Sequence, residues 1–199
     1  MQSNVHTIKK GGLGLEHILT EVEKVTTYNK LQKKEALRLR LLTEELVGIL
    51  PELFKNFEGS FWIQNQENAY EIHVELSVEG LSKEKKDALI DISSAKKNVA
   101  SSGFMGKIRE IAENMLMHSD DASELQRYGF IEQSNVYTVD AHYSYAWTLK
   151  YYLDQQAKTG NRDSEEWDKL EKSIVGKLAD DVIVGVRGKK VEIMIKKAF

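Results

Sequence analysis

The chain of 199 residues contains no cysteine. It therefore has no disulfide framework, no thiolate zinc site and no cysteine nucleophile, a composition that suits a reducing compartment. Proline occurs once, at Pro51, and the 13 glycines are scattered, which argues against long disordered linkers. No apolar run approaches membrane-spanning length, and Met1 to Lys10 lacks the apolar stretch of a signal peptide, so the expected setting is cytoplasmic with no membrane contact. Neither sign of charge dominates: 31 acidic against 28 basic side chains leave a net charge of −3, which removes the electrostatic case for nucleic acid. What is present is a 41% apolar, 30% charged composition, that of a globular domain long enough to bury a core.

Periodicity divides the chain. After a polar, basic start, Leu15, Ile18, Leu19, Val22 and Val25 recur at helical spacing up to about Asn29. A second, stronger helix is predicted from about Lys33, with Ala36, Leu39, Leu42, Leu46, Ile49, Leu50, Leu53 and Phe54 on one stripe and Lys33, Lys34, Arg38 and Glu45 opposite. Pro51 should kink its last turn or end it at Leu50. The period then changes to two. Ser60 to Gln66 is a short aromatic strand, and Ala69 to Glu79 alternates strictly, with Tyr70, Ile72, Val74, Leu76 and Val78 inward and Glu71, His73, Glu75, Ser77 and Glu79 on a wet face. Gln66-Glu67-Asn68 joins the two as a hairpin.

Ser82 opens a short helix, Ser93 to Ser102 reads as a polar loop, and Ile108, Ile111, Ala112, Met115 and Leu116 share one face of a helix from Gly103 to about Met117. Tyr143 to Leu153 reads as a tyrosine-rich helix, and Ser164-Glu165-Glu166 as the capped start of another running to about Leu178. Val182 to Val186 and Val191 to Ile195, separated by Arg187-Gly188-Lys189-Lys190, form a closing hairpin. This order predicts an α+β fold: a two-layer α/β sandwich, mostly antiparallel, with helices on one face of the sheet. It forms a single domain over residues 1–199 with a helical insertion at about 118–163.

Four segments, in order, carry a resemblance. They are Leu41-Leu42-Thr43-Glu44-Glu45-Leu46-Val47-Gly48 on the long helix, Gly80-Leu81-Ser82-Lys83-Glu84 after the strand, Gly103-Phe104-Met105-Gly106-Lys107-Ile108 before a helix, and the terminal strand pair. Together they resemble the histidine-kinase-like ATPase (Bergerat fold) superfamily, in its anti-sigma-factor branch, over about two thirds of the chain. The resemblance implies bound ATP or ADP, with Glu44 in the acidic position of the signature helix and Gly80, Ser101, Ser102, Gly103, Gly106 and Lys107 around the nucleotide. Two departures matter. Gly48 stands where the family's asparagine holds magnesium, and Leu76 where its aspartate reads the adenine amino group. A buried amino group without its partner costs about 1–3 kcal/mol. The resemblance therefore implies a regulatory or ligand-binding protein with a degenerate pocket, binding ATP or ADP without efficient turnover. The alternative is a protein-interaction module on the same scaffold.

Residue by residue, other readings stay open. Gly103 to Gly106 before a helix either cradles phosphate, aided by Ser101, Ser102 and Lys107, or is an ordinary helix start. Gly11-Gly12-Leu13-Gly14 is a nucleotide loop, a mobile arm or a dimer contact. Glu44 and Glu45 point about 100° apart on a helix and cannot act as a carboxylate pair; Glu44 alone is a water-activating base or a solvated acid. His6, His17, His73, His118 and His142 lack ligand spacing, so no metal is expected, and His118-Ser119-Asp120-Asp121 fits a helix cap. Tyr143, Tyr145, Trp147 and Tyr151 form either a partner surface or the core that fastens the insertion.

Overall fold

The computed structural model describes residues 1–12, 14–54, 56–78, 108, 111–112, 114, 122–127, 130–132, 145–159, 173–187 and 190–199. Its elements in chain order are β1 (His6–Lys9), α1 (Leu15–Tyr28), α2 (Lys33–Leu53), β2 (Phe57–Gln66), β3 (Ala69–Val78), α3 (Ala122–Arg127), β4 (Ile131–Glu132), β5 (Tyr145–Thr148), α4 (Leu149–Thr159), α5 (Ile174–Leu178), β6 (Asp181–Arg187) and β7 (Lys190–Ala198). The seven described strands form one sheet in the order β1-β2-β3-β7-β6-β5-β4, and every neighbouring pair is antiparallel.

The period-two pattern explains the central strands. Tyr70, Ile72, Val74 and Leu76 of β3 are buried beside Phe61 and Ile63 of β2 and Val191, Ile193 and Ile195 of β7, all on one face. Onto that face the stripes of α1 (Ile18, Val22, Val25) and α2 (Leu39, Leu42, Leu46, Leu50) pack as one continuous core. The molecule is thus an α+β sandwich. Ile108, Ile111 and Ala112, expected on one helix face, are helical and buried in the same core. β2 and β3 approach so closely that a Cβ at Gly59 would lie 2.0 Å from the carbonyl oxygen of Glu75, leaving room for glycine alone.

α2 begins with a capping box. The Gln32 amide donates to Glu35 Oε2 at 2.9 Å while the Gln32 side chain accepts from the first turn. The helix does not end at Leu50: it continues through Pro51 to Leu53, and the Phe54 N–H closes it on the Leu50 carbonyl. Pro51 sits in the last turn and has no N–H to give the Val47 carbonyl, so the helix continues past it with one bond fewer.

The polar start holds a strand that its pattern does not predict, and three expectations need correction. β1 pairs with β2, and Met1 and Ser3 extend that edge through Met1 N to Asn65 O (2.6 Å) and Ser3 N to Ile63 O (2.8 Å). β1 carries one buried side chain, Ile8, too few for a periodic signal. The tyrosine-rich segment is not one helix. Residues Tyr145–Thr148 are a strand, and α4 starts at Leu149 because the Thr148 hydroxyl accepts from Tyr151 N (3.1 Å) and Asp181 from Lys150 N (3.0 Å). The stretch expected to be a helical insertion therefore supplies β4 and β5 to the common sheet. Finally, the closing helix does not run unbroken to Leu178: Ser173 is extended, and its Oγ accepts from Gly176 N to cap a separate α5 over Ile174–Leu178. The segments Ser82 to Ile92, Ser93 to Lys107, His118 to Asp121 and Ser164 to Glu166 lie outside the described residues.

Candidate functional site

Of the residues expected around a nucleotide, Glu44 is described; Gly80, Ser101, Ser102, Gly103, Gly106 and Lys107 lie outside the described residues. Glu44 is exposed on α2, and so is Gly48 one turn later, with open space where a Cβ would point. Its neighbour behaves differently. Glu45, assigned to the solvent side, turns toward α5 and accepts from Ser173 Oγ (3.1 Å) and Val175 N (2.8 Å), so it caps that helix. Leu76, which the resemblance sets at the adenine-reading position, is fully buried in the core.

The aromatic surface also divides. Trp147 is 2% exposed and lies in the core, its ring 5.8 Å from that of Tyr152. Tyr151 is exposed, Tyr143 is outside the described residues, and Tyr145 lies on β5.

Two polar clusters lie elsewhere. Glu21 is buried on α1 and accepts from the backbone and side-chain amides of Asn4, each at 3.1 Å; Lys24 approaches at 3.3 Å and His6 Nε2 at 3.2 Å. Burial works against its charge, but the hydrogen bonds from Asn4, His6 and Lys24 prevail and hold the carboxyl below its ordinary value. This carboxylate fastens the N-terminal segment to α1.

The second cluster is on the sheet face turned away from α1 and α2. His73, expected to be wet, is 2% exposed. Its ring stacks on Trp62 of β2, with centroids 4.7 Å apart and planes within 7°. His73 Nδ1 is 3.1 Å from Glu192 Oε1 on β7, and Nε2 is 3.5 Å from Glu71 Oε2, an ion-pair contact. Lys196 Nζ is 3.0 Å from Glu71, and Lys190 Nζ 2.8 Å from Glu75. His73 first, then Lys196, lower the Glu71 carboxyl to about 2 against the opposing effect of burial. Burial resists charge on His73 most strongly, yet Glu192 and Glu71 together keep its pKa above the ordinary value. Sequence reasoning counted His73 as solvated because alternation along one strand cannot register what the neighbouring strands place beside it.

Among the described residues no group of three or more histidine, cysteine, aspartate and glutamate side chains is placed to hold a metal ion, and no helix is long and apolar enough to cross a membrane. No family model, curated protein or solved structure matches this chain.

Proposed function

We propose that this chain is a cytoplasmic regulatory binding protein whose sandwich resembles the histidine-kinase-like ATPase fold, with a degenerate site for ATP or ADP. One observation carries the reading. The stripe of α2 and the inward side of β3 share one core, so two of the three walls of the expected pocket, the Leu39 to Leu50 helix and the Tyr70 to Val78 strand, lie together. Two side chains support binding without turnover. Glu44 is exposed to solvent on α2, not enclosed as a water-activating base is. Leu76 is buried in the core and offers adenine no acceptor. The lack of cysteine fits a reducing compartment.

Calorimetric titration with ATP and with ADP, with and without magnesium, is the test. The expected result is binding weaker than micromolar, since the missing adenine partner costs about 1–3 kcal/mol, with no phosphate release above background. No heat at millimolar nucleotide overturns the nucleotide reading. A second reading, an interaction module on the same scaffold, is favoured by the exposure of Tyr28 (74%) on α1 and Leu37 (53%) on α2. Such a module gives no heat with either nucleotide, so the same titration separates the two.

A further inference from the structure

The His73 cluster sits on the seam between two parts of the sheet. β1, β2 and β3 come from the first 78 residues and β7, β6, β5 and β4 from the rest, and β3 with β7 is the pairing that joins them. Along that seam Glu71 lies opposite Lys196, His73 opposite Met194, and Glu75 directly opposite Glu192. A like-charge pair in direct register is destabilising unless cations offset it.

A neutral imidazole has one N–H and one lone pair; only the imidazolium presents a charged N–H from both nitrogens. Both ring nitrogens of His73 face carboxylate oxygens, at 3.1 Å and 3.5 Å. A neutral ring here leaves one carboxylate against a lone pair, in a place shut off from water. Among the described groups named around the ring, four acids face two lysines. β3 contributes Glu71 and Glu75; β7 contributes Glu192, Lys190 and Lys196; β6 places Asp181 opposite Lys196; β2 contributes Trp62, which carries no charge. The face of an indole ring stabilises a cation stacked on it.

We propose that His73 is a proton-controlled clamp on the β3–β7 seam: its imidazolium ties Glu71 of β3 to Glu192 of β7, and losing the proton loosens the joint between the two parts of the sheet. The sign follows from linkage. With the folded-state pKa above the unfolded 6.5, the contribution is complete below pH 6.5 and is lost as pH rises through the folded value. The clamp therefore opens on the alkaline side.

The test follows the His73 ring by NMR, and the urea midpoint, from about pH 5.5 to about pH 9 in the wild type, His73→Gln and Glu192→Gln. The wild-type ring titrates above 6.5 and the midpoint falls as it does so. In His73→Gln that fall is absent. In Glu192→Gln the ring titrates at lower pH, and amide exchange along β3 and β7 quickens relative to β2. A wild-type ring titrating at or below 6.5, or a His73→Gln profile parallel to wild type, overturns the clamp. Should His73→Gln fail to fold, the Glu192→Gln ring decides: one that does not move overturns it.

Discussion

Lys30 closes α1 with φ at 54°, in the left-handed region that a side chain occupies at a cost of about 1–2 kcal/mol. Its N–H bonds the Thr27 carbonyl (3.1 Å) and the Leu31 N–H bonds that of Thr26 (3.0 Å), the paired closure of a Schellman motif. Glycine is the usual residue there. Lys30→Gly is expected to stabilise the protein by about 0.5–1 kcal/mol, the relief of strain being partly offset by a freer unfolded chain. A higher urea midpoint with an unchanged slope is the signature to measure. The end of α1 was legible in the sequence through its apolar period, although no glycine marked it. His73 was misread for the opposite reason. Its own strand gave a clear pattern, and its burial comes from Trp62 on one neighbouring strand and Glu192 on the other.

Between elements, side-chain caps decide where helices begin. Glu45 of α2 holds the first turn of α5, which has only five residues and no long apolar stripe of its own. Glu45→Ala is expected to cost about 1–2 kcal/mol and to speed amide exchange in α5 before the rest of the molecule, because a lost cap exposes an unpaired N–H. Unchanged protection in α5 would show that the cap does not hold the helix. Thr148 and Asp181 do the same work at α4, and their pairing explains the misread tyrosine-rich segment. Threonine in an aromatic run is a weak start signal by itself; with Asp181 brought alongside from β6 it ends the strand and begins the helix. β1 escaped notice because a peripheral strand with one buried residue leaves almost no period to read.

Across the whole molecule, acid acts on the same seam as alkali. Glu71, with a folded-state value lowered to about 2 from 4.5, contributes stability that is full above pH 4.5 and lost as pH falls toward 2. Together with the His73 clamp this places the seam's greatest stability between pH 4.5 and 6.5. Glu71→Gln should flatten the acid limb of a midpoint-against-pH curve; an unaltered acid limb would show that Glu71 is not its source. The sequence by itself determined the class of fold, the two long helices, the central hairpin and the closing hairpin. Each of these follows from a local period that needs one solvent-facing and one core-facing side. The tertiary structure alone decided the strand order, the entry of β4 and β5 into the sheet, the cap roles of Glu45 and Asp181, and the charged seam around His73. Those depend on which groups meet across the sheet, and a one-dimensional pattern carries no distance between residues 119 positions apart, as His73 and Glu192 are.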